Sequence, residues 1–300
     1  MSASPTPSKT LAITGLGEIA DRYDAVLCDV WGVVHNGRVS FRPASDALVA
    51  FRRRGGVVVL LTNAPRPNPP IRAQVLSLGV APDAFDAVVT SGDVTVALIQ
   101  DRIDLRVHHI GPRRDLSLFD VAAEVAGKPP KLTTLEEADY VLCTGLFHDD
   151  VETPADYEDR LQAMAARGLT FVCANPDIVV HRGTTVIWCA GALARRYVEL
   201  GGAVIYAGKP HAPIYGAALG VAEAVLGRPL KPSRVLAIGD GMRTDIAGAI
   251  GQGLDALFIS AGIHLDEVHG GGGRAEAARL EELFAREQLT PFASARLLTP

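Results

Sequence analysis

The sequence predicts an α/β protein, a parallel sheet covered by helices and interrupted by an inserted α/β domain. Short Val-, Ile- and Leu-rich runs alternate with helix-length segments over nearly the whole chain, as strands buried on both faces require. The alternation restarts near Leu105. The 300-residue length is enough for two domains.

Ala25–Val30 reads as the first buried strand. A proline-started helix follows from Pro43 to Arg54, closed by Gly55-Gly56. Val57–Leu61 is the next strand, and a helix from Pro70 to Leu78 ends at Gly79. Ala87–Val89 is a third strand, with Ser91 or Asp93 able to cap the helix after it. In the second set, Arg106–Ile110, Tyr140–Cys143 and Thr170–Cys173 are strands, and Leu116–Ala126 and Pro154–Arg167 are helices. A helix at Cys189–Glu199 leads to the strand Ala203–Tyr206. The closing part reads as a helix from Pro213 to Leu226, a strand Val235–Ile238, a helix opening at Thr244-Asp245, a strand Ala256–Ile259 and a helix Ala275–Glu287. Gly270–Gly273 is a loop and not a phosphate cradle, because no strand feeds it. The domain boundaries expected are 1–89 with 205–300 for the core and 90–204 for the insertion.

Composition excludes several classes. A net charge of -5 leaves no basic surface for nucleic acid. No window approaches the eighteen or so apolar residues that cross a bilayer. Met1 to Lys9 lacks the apolar core of a secretion signal. Cys28, Cys143, Cys173 and Cys189 each sit in an apolar run without CxxC spacing, which predicts buried free thiols in a reducing compartment, the cytoplasm.

Ligands bind outside the carboxyl ends of strands in open α/β sheets, so the residues just after each apolar run carry the information. These are Asp29, then Thr62-Asn63, then Gly208-Lys209-Pro210, then Gly239-Asp240-Gly241 with Thr244-Asp245. Any one of them is also a natural turn or cap residue. Together they supply the groups that phosphoryl transfer needs. A carboxylate can act as nucleophile. Asp29 and Asp240 can hold Mg2+ with phosphate oxygens and water, while Lys209, Thr62 and backbone amides balance and bind the phosphate.

In order and spacing, Asp29 with Gly32-Val33, Leu61-Thr62-Asn63, Gly208-Lys209-Pro210 and the segment Gly239 to Ile246 resemble the four motifs of haloacid dehalogenase-like hydrolases. Cys173-Ala174-Asn175-Pro176-Asp177, and Gly191 in a small-residue helix, are similar to the type IIA cap subgroup, which includes p-nitrophenylphosphatases and NagD-like sugar and nucleotide phosphatases. The resemblance spans Tyr23 to Gly262. It implies a Rossmann-like, doubly wound core with an α/β cap between the second and third motifs. It implies Asp29 as nucleophile and metal ligand, Asp240 and Asp245 as further Mg2+ ligands, Thr62 and Asn63 on the transferring phosphoryl group, and Lys209 orienting Asp29. Asn175, Asp177 and His181 fall where these caps place a substrate-contacting loop, with plain surface loop an equal alternative for His181. Asn36-Gly37 fits the hairpin flap after the first motif. The substrate implied is a small phosphorylated metabolite, and a homodimer is left open.

One residue departs from the pattern. Family phosphatases carry a second Asp two residues after the nucleophile, which protonates the leaving group and then activates water. Trp31 stands there. Its backbone carbonyl still suits a metal, but its indole only donates a hydrogen bond. Loss of acid–base help typically costs roughly 10²–10⁴-fold in rate. His35 on the flap is a candidate substitute, the blander alternative being a flap contact. His108-His109 reads as structural, His148-Asp149-Asp150 as a capping loop and His211 as a helix start. The first rival to a phosphatase is a weakened phosphate-binding or sensor protein. The second is dehalogenase-like carbon chemistry, which the Thr244-Asp245 metal motif disfavours.

Overall fold

A computed structural model describes residues 10–182, 185–270 and 276–300, with the side chains of 181, 182 and 185 outside the described set. Met1–Lys9 and residues 271–273 of the glycine loop therefore lie outside it. Contacts divide the chain into two compact units, Met1–Leu61 with Gln74–Val88 and Tyr215–Pro300, and Thr62–Ala73 with Val89–Ile214.

The chain opens with strands β1 (Leu11–Ala12), β2 (Ala25–Asp29), β3 (Val57–Thr62) and β4 (Ala87–Thr90). It continues through β5 (Arg106–Ile110), β6 (Lys131–Leu132), β7 (Tyr140–Cys143), β8 (Thr170–Cys173), β9 (Val179–Arg182), β10 (Thr185–Trp188) and β11 (Val204–Tyr206). It closes with β12 (Val235–Gly239), β13 (Asp255–Ile259) and β14 (Ala293–Ala295). Seven strands form one sheet in the order β1-β14-β13-β12-β2-β3-β4. The ladders from β1 to β3 in that sheet are all parallel. Every residue of β2, β3 and β12 is buried, which explains why their sequences are nearly unbroken apolar runs. The chain leaves β2 toward β3 on one side, and later returns to build β12, β13 and β14 on the other. The strand order therefore reverses between β2 and β12, the place where such sheets build ligand sites.

The second unit holds a five-stranded parallel sheet in the order β11-β8-β7-β5-β6. Alternating side chains of its strands enter two apolar clusters. Ile110, Val141, Cys143, Phe171 and Cys173 face one, and Val107, Tyr140, Leu142 and Val172 the other. Helices Glu158–Ala166 and Ala190–Glu199 cover the first face, while Ser91–Gln100 and Ser117–Ala126 cover the second. All four cysteines are free and buried, as expected. No helix among the described residues is long and apolar enough to cross a membrane.

Several elements differ from the expectation. Thr90, not Ser91 or Asp93 alone, is the N-cap: its hydroxyl accepts the Asp93 N–H while the Asp93 carboxylate accepts the Thr90 N–H. Pro154–Tyr157 forms a 3-10 turn ahead of Glu158–Ala166. Met242–Ile246 is a π-helical turn leading into Ala247–Gly251. The strands β1, β6 and β14, of two or three residues, carry too few residues for a period-2 signal, and the antiparallel pair β9–β10 is a further element beyond the expectation.

Candidate active site

In the first unit, Asp29 ends β2, Asp240 follows β12, and Asp245 sits on the π turn just after it. Their carboxylate oxygens lie within 4.8 Å of one another, and all three residues are buried. At an effective dielectric near 20, two such charges at that distance repel by roughly 3 kcal/mol. A cluster of this kind favours a cation, and an all-oxygen donor set suits a hard one such as Mg2+. The backbone is shaped around these carboxylates. Gly32, at φ +88°, and Gly262 both stand where a Cβ would overlap Asp240. Asp240 Oδ2 accepts the Ile263 N–H at 2.7 Å. Asp245 Oδ2 accepts the Gly241 N–H at 3.0 Å, and a Cβ on Gly239 would overlap the Asp245 side chain.

The segment after Asp29 folds back on itself. Gly32 N–H donates to the His35 carbonyl at 2.9 Å, and Val34 N–H to Val30 at 2.9 Å. Asn36 closes the flap turn, its Oδ1 accepting the N–H groups of Arg38 and Val39, each at 3.0 Å, with Gly37 at φ +81°. Trp31 packs its ring where a Gly37 Cβ would sit, and meets His35 edge-on at 5.2 Å between centroids. His35 is buried, its Nδ1 accepts the Gly37 N–H at 3.0 Å, and burial pulls its pKa down to about 4. Its ring thus serves the flap turn as a neutral group.

In the second unit, Asn63 is the centre of a polar knot. Its Oδ1 accepts the Lys209 N–H at 2.7 Å, and its Nδ2 donates to the Lys209 carbonyl at 3.2 Å and to Asp177 Oδ1 at 2.9 Å. Asn175 Oδ1 accepts the Asp177 N–H at 3.1 Å. A Cβ on Gly208 would overlap Asn63 Oδ1, and one on Gly191 would overlap the Pro176 and Asp177 carbonyls. These close approaches explain the small residues there. Lys209 is buried, and the Lys209–Pro210 peptide bond is cis. Thr62 is buried, its Oγ1 accepting the Ala64 N–H at 3.2 Å. The second unit thus gathers Asn63, Asn175, Asp177 and Lys209, with Thr62 beside Asn63 in the chain. His181 pairs with Val186 in the hairpin, and its side chain lies outside the described set.

His108, His109 and His211 have structural partners. His108 Nδ1 lies 3.1 Å from the Thr133 carbonyl. His109 Nε2 lies 3.0 Å from Thr144 Oγ1, and burial lowers its pKa to about 4. His211 stacks on Tyr206 at 4.3 Å, one residue before the helix Ala212–Leu226. Asp115, not singled out in the sequence, is buried and its pKa is pushed up to about 6 by that burial. Ser260, His269 and Glu276 form a further chain of contacts after β13. Nothing local in the sequence marks either group, because each depends on residues that only folding brings together.

Residues 26–123 match the sequence profile of haloacid dehalogenase-like hydrolases, and residues 206–282 match a second profile of the same kind. A haloacid dehalogenase-like hydrolase from Brucella suis 1330 is 47% identical, with a TM-score of 0.83 over 96% of this chain and all of that one. Ribonucleotide monophosphatase NagD of Escherichia coli K12 is 25% identical over 248 residues, which is 81% of this chain and 90% of NagD. A glycerol phosphate phosphatase from Mycobacterium tuberculosis, solved with magnesium, is 25% identical with a TM-score of 0.62, over 84% of this chain and 73% of its own. With the motif order, the parallel core and the acidic cluster all in agreement, the chain belongs to the haloacid dehalogenase-like hydrolases, in the NagD-like type IIA subgroup.

Proposed function

We propose that the protein is a Mg2+-dependent phosphatase acting on a small phosphorylated metabolite, a sugar phosphate or nucleotide. The observation that carries this is the buried triad Asp29, Asp240 and Asp245 at the reversal of strand order. The phosphatase relatives support it.

Asp29 supplies the nucleophile. One carboxylate oxygen attacks phosphorus, the bond to the leaving oxygen breaks, and an aspartyl-phosphate results. Water then attacks phosphorus, the bond from phosphorus to the Asp29 oxygen breaks to restore the carboxylate, and inorganic phosphate leaves, with the water's proton passing to phosphate or solvent. Asp29, Asp240, Asp245 and the backbone carbonyl of Trp31 hold Mg2+, which when bound neutralises the charge of the phosphoryl oxygens. Thr62 and the backbone amides after it bind the phosphoryl oxygens. Asn63 contributes there and fixes the backbone that carries Lys209, whose ammonium orients Asp29. Asn175, Asp177 and His181 contact the leaving group. Residues 90–204 are the inserted cap domain, and residues 1–89 and 205–300 are the core. With Trp31 in place of a second Asp, and His35 engaged with the flap, the leaving group takes its proton from solvent, so a good leaving group is favoured. The protein works in the cytoplasm without nucleic-acid or membrane partners, alone or as a homodimer.

The test is turnover of p-nitrophenyl phosphate, then of a panel of phosphorylated sugars and nucleotides, with and without Mg2+, alongside Asp29→Asn. Metal-dependent turnover lost in Asp29→Asn is expected. Tight binding of a phosphate compound without turnover would instead favour a phosphate-sensing protein, the alternative that Trp31 suggests.

A further inference from the structure

Asp240 is backed by a chain of contacts that ends on the last long helix. Its Oδ2 accepts the Ile263 N–H at 2.7 Å, and Gly262 lies where a Cβ would overlap the same carboxylate. These two residues belong to a short loop that leaves β13 at Ser260. The loop is pinned at its start by Ser260 N–H to the Ala295 carbonyl at 2.9 Å and Ala261 N–H to Arg296 at 3.0 Å. It is closed by Leu265 N–H to Gly262 at 3.0 Å.

The Ser260 hydroxyl then meets His269 Nε2 at 3.0 Å, and His269 Nδ1 meets Glu276 Oε2 at 3.3 Å. A carboxylate only accepts, so the His269 Nδ1–H is the donor to Glu276. Serine, imidazole and carboxylate in this sequence would suit a nucleophile, but Ser260 is only 1% exposed and faces the Ala295 carbonyl at 3.4 Å. A substrate has no route to it, so the chain acts on the loop.

We propose that Ser260, His269 and Glu276 are positioning residues for the metal site. They hold the Gly262–Ile263 backbone against Asp240 and so keep its carboxylate aimed at the cation. The proposal rests on the acidic triad being a Mg2+ site. A second tie from the same helix, Arg243 to Glu287 at 2.7 Å, reaches the turn that carries Asp245. The Arg243 side chain is 80% exposed, whereas that of His269 is 7% exposed. The anion ends reverse this, Glu287 at 8% and Glu276 at 42%, so the most buried part of the two ties is the Ser260–His269 contact.

The experiment is Mg2+ binding to the full chain by isothermal titration calorimetry, well below the unfolding temperature, with kcat and apparent Mg2+ requirement measured in parallel. Ser260→Ala and His269→Ala are expected to weaken Mg2+ binding about tenfold, as loss of a group supporting a ligand typically does. His269→Gln, whose amide reaches toward Ser260, recovers most of that loss. At saturating Mg2+, kcat falls less than Mg2+ affinity does. A role in stability alone would lower the unfolding temperature without moving the dissociation constant. If either alanine variant fails to fold, Glu276→Gln at the exposed end is expected to weaken binding in the same direction, by less than about tenfold. Unchanged affinity in the folded variants overturns the proposal and leaves the metal site intact. No Mg2+ binding by the wild type overturns both.

Discussion

Asn63 grips the backbone of Lys209 from both sides, its Oδ1 accepting the amide N–H at 2.7 Å and its Nδ2 donating to the carbonyl at 3.2 Å. Asn63→Ala removes both bonds and leaves a buried N–H unsatisfied. A loss of about 1–3 kcal/mol in urea unfolding is expected. Asn63→Asp should be worse at neutral pH, because a carboxylate would replace the donor that now faces Asp177 Oδ1 at 2.9 Å. A neutral effect for both would show that the knot carries no weight.

Asp29→Asn is expected to abolish turnover and, without added Mg2+, to raise stability. Removing one of three carboxylates within 4.8 Å relieves two pairwise repulsions of roughly 3 kcal/mol each in the cation-free protein. Thermal unfolding with and without Mg2+ checks this. The wild type should gain more from Mg2+ than the variant, since stabilisation follows the ligand's affinity for the folded state.

Gly32→Ala combines a left-handed backbone at φ +88° with a Cβ that would overlap Asp240. A cost of about 1–3 kcal/mol and loss of the Mg2+-dependent rise in unfolding temperature are expected. Wild-type stability and Mg2+ response in this variant would contradict the close approach of residue 32 to Asp240.

Trp31→Asp restores a carboxylate where the resemblance expects one. The rate on p-nitrophenyl phosphate should rise, most clearly in breakdown of the phosphoenzyme, which rapid quench would resolve. No gain in a folded variant would mean that proton transfer is not what limits turnover.

Stability should depend on pH through His109 and Asp115 with opposite signs. Burial lowers the pKa of His109 from 6.5 to about 4, so the unfolded chain binds the proton first. Its contribution is complete above pH 6.5 and is lost as pH falls toward 4. Asp115 is raised from 3.8 to about 6, so its contribution is present below 3.8 and lost as pH rises through 6. His109→Gln removes only the first. The difference between wild type and variant in urea unfolding should grow by on the order of 2 kcal/mol between the lower and upper limits and then level off. A flat difference would place the His109 ring in solvent.

Much of this was legible in the chain because it is local. β2, β3 and β12 are unbroken apolar runs, a parallel sheet buried on both faces demands such runs, and function gathers at their carboxyl ends. Asp29, Thr62, Lys209 and Asp240 could therefore be picked out as strand-end residues without knowing the fold, and Trp31 as the departure beside them. The tertiary structure alone decided what surrounds them. Asn63 meets Lys209 across 146 residues, and the edge strand β1 finds β14 at the far end of the chain. Ser260 meets His269 only because a turn folds back onto β13, and Asp115 is buried with a raised pKa by a sheet that its own segment does not encode. Strand periodicity and end residues are set by nearest neighbours in sequence, whereas hydrogen-bond partners and burial are set by which strands become neighbours in space.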